Sequence, residues 1–276
     1  MSSLSYIRYE NPIELRQAIR SGQFTSTTSS QCPQYVQANM VILPKTVSDK
    51  FLQFCQSNPR ACPLLEMLPA GTYQPRKLAK TDADIRTDVP KYRVYQNGEL
   101  VEEVADVKEL CKEEMVTFLL GCSFSFEHAL QSNGIRIKNV DENKNVAMYK
   151  CSKIQCPGPL DNVTLVVSMR PIRNDQVELA KEITGAPHFQ KTHGAPLYCG
   201  YNYVEELGIN EDLNQVDFGE SVTINQQTET PCFWYCGVTG IMAAIEISKT
   251  DKVTCITHSP GYMFVSDIRE DEDIPQ

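Results

Sequence analysis

No stretch of the 276 residues approaches the roughly 20 consecutive apolar residues that a bilayer-spanning helix needs, so no membrane segment is expected. The opening residues, Met1 to Tyr9, lack the apolar run of a secretory signal. Arg8, Arg16 and Arg20 within a Ser- and Thr-rich stretch leave a mitochondrial presequence open, and Glu10 and Glu14 argue against one. A basic stripe is missing too. The 26 Lys and Arg stand against 35 Asp and Glu, a formal charge of −9. Nucleic-acid affinity rests largely on phosphate neutralisation, so an acidic chain of this kind is a poor candidate for it. Histidine is scarce, at four residues, and no His-x3-His pair accompanies Cys151-x4-Cys156 or Cys232-x3-Cys236. A paired zinc signature is therefore absent, and neither metal nor cofactor is expected.

Cysteine is the one reactive residue in surplus, with eleven. An odd total in a chain of this length reads as free thiols used as small hydrophobes, which places the protein in the cytoplasm with the mitochondrial matrix left open. Residues 1–34 are polar and hold one expected helix around Pro12 to Arg20. Met40 to Leu43 reads as a short strand. Thr46 with Asp49 forms a capping box for a helix burying Val47, Phe51, Phe54 and Cys55. Asn97-Gly98 between Tyr92–Gln96 and Glu99–Val101 predicts a type I′ hairpin. Asp106 is expected to cap a helix carrying Val107, Leu110, Cys111, Met115, Phe118 and Leu119, ended by Gly121. A second helix starts near Ser123 or Ser125 and stops at Asn133-Gly134. Residues 135–160 look poor in strand.

Thr164–Met169 reads as a strand buried on both faces, followed by a helix from Asp175 to Thr184. Phe233–Cys236 is a strand turning through Gly237 into a helix, and Val253–Thr257 and Tyr262–Val265 are two strands about a tight turn. Strand and helix alternate throughout. The class is α/β, with a mixed sheet and helices on both faces.

In such sheets ligands bind where strands run into loops and helices. Four segments fit. Gly121–Glu127 offers Ser123 and Ser125 at a helix start, either as anion or oxyanion donors or, more plainly, as an N-cap. Arg170, directly after the buried strand, suits a carboxylate clamp or a structural ion pair equally. His193, between Thr192 and Gly194, sits in a loop unable to hide in a core. Cys236 and Thr239 stand at a strand-to-helix turn, where the cysteine is a thiolate nucleophile or simply a small residue, and His258 at a strand end suits acid or base work.

Seven segments together carry a resemblance. They are Gln37–Pro44, Asp84–Pro90, Gly121–Glu127, Ser168–Pro171, His193–Pro196, Phe233–Thr239 and Thr257–Gly261. These resemble the corresponding segments of the D-glutamate cyclase-like proteins, many of them labelled hydro-lyases, over about residues 36–268. Two positions depart from the pattern: Tyr262, where many relatives carry His, and Tyr201, where an acidic residue is commoner. The resemblance implies a three-layer α/β/α main domain, residues 35–110 and 161–268, with a small inserted α+β subdomain at 111–160, and a tail at 269–276. It implies intramolecular dehydration of D-glutamate to 5-oxo-D-proline, or a related dehydration of a small acid. Under that activity His193 and His258 serve as base and acid, Arg170 grips a carboxylate, and Ser123 and Ser125 supply oxyanion donors. Asn39 and Arg86 orient the substrate, Gly194 and Thr239 line its pocket, and Cys236 is an optional nucleophile. The expected partner is a small carboxylate, with a homo-oligomer left open. A competing reading is a non-catalytic sensor of an acidic amino acid or oxo-acid using the same pocket. Two others are a hydratase for another small acid and a thiol redox protein.

Overall fold

In the computed structural model, which describes residues 8–79 and 82–274, the strand Tyr35–Pro44 (β1) organises the chain. Its period-2 alternation feeds two cores at once. Val41 and Leu43 face one, Ala38, Met40 and Ile42 the other, and eight of its ten residues are buried. From Ala38 to Pro44 it pairs with the whole of Met115–Gly121 (β5), Pro44 opposite Met115 and Ala38 opposite Gly121. Its other edge is shared. Thr254–His258 (β10) pairs at Val41 and Ile42, and Phe264–Arg269 (β11) pairs from Tyr35 to Ala38. Leu64–Leu68 (β2) lies outside β5, and the hairpin Tyr92–Gln96 (β3) with Glu99–Val104 (β4) lies outside β10, completing seven strands. Asn97 and Gly98 take φ of 53° and 86°, the left-handed pair a type I′ turn requires. A second sheet runs in the order Ala147–Gln155 (β6), Thr164–Arg173 (β7), Glu229–Tyr235 (β9), Tyr198–Cys199 (β8).

The main core lies between the sheets. Val41 and Phe118 meet Val166 and Phe233 across it, with Phe51 of Lys45–Ser57 (α2) and Ile241 of Val238–Asp251 (α7) filling the gap. A second core packs Met40, Leu119 and Phe264 against Leu78, Ile85 and Val89 of the loop before β3. A third packs Phe126 and Trp234 against Ala180 of Val177–Gly185 (α5).

The α/β class holds, but the pairing sense differs from a mixed sheet: every strand pairing among the described residues is antiparallel. Parallel neighbours arise when a crossover returns the chain to the same sheet. Here α7 carries it from β9 in the second sheet to β10 in the first. The helix expected after Asp106 is replaced by a turn and then β5, whose seven residues are all buried. A continuous apolar run satisfies helix and buried-strand periodicity alike. The stretch expected to lack strands contains β6, and residues 111–160 divide between the two sheets. The helix after Pro44 begins at Lys45 without a side-chain cap, so Thr46 and Asp49 form no capping box. The amino-terminal helix Pro12–Arg20 (α1) is capped by Asn11, which accepts the Ile13 N–H at 2.8 Å. β10 and β11 flank β1 rather than pairing as a hairpin. No described helix is long and apolar enough to cross a membrane.

Candidate active site

Ser168 and Arg170 share a face of β7, two residues apart. The Arg170 guanidinium, 1% exposed, donates from Nη1 to Ser168 Oγ at 3.3 Å and from Nη2 to Ser123 Oγ at 3.2 Å and Glu127 Oε1 at 2.6 Å. Phe126 and Trp234 present ring faces 5.4 and 5.7 Å from its Cζ. Glu127 is buried as well, and its Oε2 accepts from Ser29 Oγ at 2.8 Å; Asn139 donates to that hydroxyl at 3.4 Å. Two opposite charges out of water are tolerable only as a hydrogen-bonded pair. Nε of Arg170 has no partner. So the clamp expected at Arg170 is first of all an ion pair with Glu127, and Nε is the donor it still has to offer.

The turn that delivers Ser123 follows from packing. The last residue of β5, Gly121, has no room for a side chain, since a Cβ there would lie 1.8 Å from the Lys191 carbonyl oxygen. The chain then makes the single 3-10 turn Ser123–Phe126, whose Phe124 N–H goes to Cys122 Sγ at 3.4 Å and Ser125 N–H to the Cys122 carbonyl at 3.1 Å. Both amides are therefore committed within the turn. Ser125 Oγ accepts the Gln37 N–H at 2.9 Å and ties the turn to β1. Of the two serines, Ser123 faces the guanidinium and Ser125 holds the backbone.

Asn39 joins the same region, donating from Nδ2 to the Gly121 carbonyl at 2.7 Å. It fits because position 237 is Gly, where a Cβ would stand 2.0 Å from Asn39 Nδ2. Burial pushes the neighbouring Cys236 thiol up to about 11, with the Val238 N–H and the Arg170 charge opposing. At neutral pH it is a thiol, which argues against the nucleophile reading. All eleven cysteines are free. Thr239 Oγ1 accepts the Val166 N–H at 3.0 Å and donates to its carbonyl at 3.3 Å, clipping α7 to β7.

Both nominated histidines are buried, and each Nε2 lacks a partner. Hydrogen bonds at Nδ1 set their tautomers differently. His193 Nδ1 lies 2.8 Å from the Arg60 carbonyl, which can only accept, so the proton is on Nδ1 and Nε2 carries a lone pair. His258 Nδ1 lies between the Met40 N–H at 3.0 Å and the Met40 carbonyl at 3.1 Å; a buried N–H tolerates the loss of its partner less well than a carbonyl does, so we read Nδ1 as the acceptor and the proton as lying on Nε2. Burial lowers His193 from 6.5 to about 4, helped by the charges of Arg60 and Arg170 and opposed by the carbonyls of Arg60 and Gly121. Burial likewise lowers His258 to about 4, helped by the Arg93 charge and opposed by the nearby Met40 carbonyl. Two neutral imidazoles result, one a proton acceptor and one a donor.

The 3-10 turn Pro187–Thr192 ends with His193 and Gly194 at φ of 85° and 69°, and Arg60 fastens it through the carbonyls of His193 at 3.2 Å and Ala195 at 2.6 Å. Gly194 therefore shapes the turn that holds His193. Arg86 lies apart. It pairs with Asp84 at 2.7 Å and stacks 3.8 Å from the Tyr73 ring centroid, on the side of the second core. Glu127, Ser29, Gln37, Asn139 and Arg60 carry no signal of a site in the sequence. Glu127 closes a candidate segment, and only its approach to Arg170 across 43 residues distinguishes it from a surface glutamate.

Residues 116–267 match the model of the D-glutamate cyclase family. A protein of Geobacillus kaustophilus named "Putative hydro-lyase" is 45% identical over 265 residues, covering 94% of this chain and 95% of that one. Hydro-lyases so named from Oceanobacillus iheyensis, 42% identical over 264 residues, and Verminephrobacter eiseniae, 46% over 262, cover 95% of this chain and 100% and 92% of their own. The chain belongs to the D-glutamate cyclase family.

Within this cyclase-family chain, segments distant in sequence are joined by direct bonds. Gly121–Glu127 meets Ser168–Pro171 through Arg170, and meets Gln37–Pro44 through Ser125 and Asn39. Thr257–Gly261 reaches β1 through His258. Ser259 and Pro260 of that last segment line a cavity of about 460 Å³.

Proposed function

We propose that the chain dehydrates D-glutamate intramolecularly to 5-oxo-D-proline, or performs a closely related dehydration of a small acidic substrate. Family membership sets the reaction class. The observation that carries the roles is the pair of buried, neutral imidazoles with opposite tautomers and unpartnered Nε2 atoms. An unpaired buried polar atom costs about 1–3 kcal/mol, and a substrate that completes its hydrogen bond offsets that cost.

In the cyclisation the amine nitrogen attacks the side-chain carboxyl carbon, an N–C bond forms, and a C–O bond breaks as water leaves. Two protons pass from nitrogen to the departing oxygen. His193 Nε2, with its lone pair, takes a proton from the ammonium; His258 Nε2–H donates toward the oxygen that leaves. A value of about 4 makes His193 a weak base by itself, and a bound carboxylate alongside strengthens it by favouring the charged imidazolium. Arg170 Nε orients a carboxylate while Glu127 holds the guanidinium in place. Folding the substrate back on itself supplies effective molarity, so positioning accounts for much of the rate.

The test is incubation of purified protein with D- and with L-glutamate, following 5-oxoproline by mass spectrometry. Product from D-glutamate, lost on changing either histidine, is expected. Thermal stabilisation by D-glutamate without product would favour a sensor, and full activity in both histidine variants would end the assignment of base and acid.

A further inference from the structure

With Arg170 paired to Glu127, the surroundings of the two serines offer a dianionic acid little free positive charge. The cavity beside the His258–Gly261 turn has some. Its three carboxylates, Glu103, Asp217 and Glu220, outnumber its two cations, Lys91 and Arg93, but two of the three are paired with other cations than Lys91: Glu103 with Arg93, and Asp217 with Lys150 at 3.8 Å. Glu103 accepts from Arg93 Nε at 2.7 Å and from Ser259 Oγ at 3.4 Å. Glu220 takes the Asn145 N–H at 2.9 Å, and Asp217 the Lys150 N–H at 2.8 Å. Lys91 lines the same cavity, partly buried, and its ammonium has no ion-pair partner among the described residues; it rests 4.9 Å from the Tyr262 ring centroid.

The surrounding wall is rigid. The Ser259 N–H donates to the Lys91 carbonyl at 2.8 Å, which locks the lysine backbone to the turn. Asn145 Nδ2 donates to the Pro260 carbonyl at 2.9 Å, and Gly261, at φ 91°, leaves room for that amide where a Cβ would come within 2.3 Å of Asn145 Oδ1. Ser259 and Tyr262 line the same cavity. Behind Ser259 in sequence is His258, buried, with Nε2 unpartnered.

We infer that this cavity is a carboxylate site, in which the Lys91 ammonium pairs with the acid and the Tyr262 hydroxyl donates a hydrogen bond to it. Its occupant is a small acid: the acidic amino acid substrate or the lactam acid formed from it. The inference rests on the proposed cyclisation only for the choice of those two ligands. An ammonium held against an aromatic face and a hydroxyl-bearing turn recognises any compact carboxylate by charge-assisted hydrogen bonding.

Calorimetric titration decides the point, with glutarate (which cannot cyclise), D-glutamate and 5-oxo-D-proline as separate probes and chloride as the control anion. Wild type is expected to bind glutarate and at least one of the others. Lys91→Met should weaken that binding roughly tenfold or more, as loss of one charge-assisted hydrogen bond implies. Lys91→Arg should restore most of it, and Tyr262→Phe should weaken it a few-fold at an unchanged melting temperature. Preference for 5-oxo-D-proline over D-glutamate identifies a product site, and the reverse a substrate site; each supports a carboxylate site. Unchanged affinity in Lys91→Met, or no binding of any probe by wild type, overturns it. Should Lys91→Met fail to fold, the comparison of Lys91→Arg with Lys91→Gln decides the same question. Binding without turnover sinks the cyclisation and leaves this site standing, whereas turnover with unaltered affinity for every probe in Lys91→Met sinks the site and leaves the cyclisation.

Discussion

Changing His258 to Asn separates the hydrogen bond the imidazole makes from the proton it declines to take. Asn Oδ1 occupies much the same place as Nδ1 and can accept the Met40 N–H that His258 now accepts at 3.0 Å. It cannot titrate. In the wild type the folded imidazole is lowered from 6.5 to about 4. Between those values the unfolded chain binds a proton that the folded one refuses, so stability is complete above pH 6.5 and drains away as pH falls toward 4. The integrated loss is about 3 kcal/mol for this one group, a large share of the roughly 5–15 kcal/mol that holds a domain together. Urea unfolding at pH 7.5, 6.5, 5.5 and 4.5 measures it. His258→Asn should begin less stable or equal at pH 7.5 and lose about 3 kcal/mol less than wild type on acidification. Parallel stability curves for the two proteins would refute the buried, neutral state of His258 and, with it, the donor role assigned to Nε2.

Other expectations follow from the same geometry. His193→Asn keeps a donor for the Arg60 carbonyl and tolerates φ of 85°, so the fold should survive while kcat drops about 100-fold or more, read by 5-oxoproline formation. Glu127→Gln leaves the Arg170 charge buried without its counter-ion, and chemical denaturation should show a loss of about 3–5 kcal/mol. Gly121→Ala drives a Cβ against the Lys191 carbonyl and should lower the melting temperature by several degrees, the effect of roughly 1–3 kcal/mol of overpacking. Cys236, a buried thiol raised to about 11, should resist iodoacetamide in the native protein at pH 7, and activity should persist after alkylation of Cys199, the one cysteine that is not buried; peptide mapping checks the first and turnover the second.

Local chemistry is legible where it depends on near neighbours. Asn97-Gly98 announces its hairpin because a left-handed pair is demanded by the turn itself. Pro12 to Arg20 and Val177–Gly185 are recognisable as helices because one side of each pattern repeats at the right period, and Thr164–Met169 as a buried strand because its run is short and rich in β-branched residues. Met115–Gly121 is ambiguous for the complementary reason: with apolar residues at nearly every position, neither period is distinguished, and only pairing between β1 and β2 makes it a strand. Thr28, Ser29, Gln31 and Cys32 look like part of a polar leader, yet they are buried, with Thr28 accepting the Met263 N–H at 2.9 Å and Ser29 reaching Glu127.

From the linear chain alone come the α/β class, the family likeness and the segments bearing Ser123, Arg170, His193 and His258, since each is written in residue type and short spacing. Folding decides what those residues are. It gives Arg170 an ion-pair partner 43 positions away, makes Ser125 and Thr239 backbone clips, withdraws Cys236 as a thiolate, sets Arg86 apart and sorts the two imidazoles into opposite tautomers. Protonation, tautomer and pairing depend on burial and on which carbonyl or N–H happens to lie within about 3 Å, and those are distances between chain segments that sequence spacing does not encode.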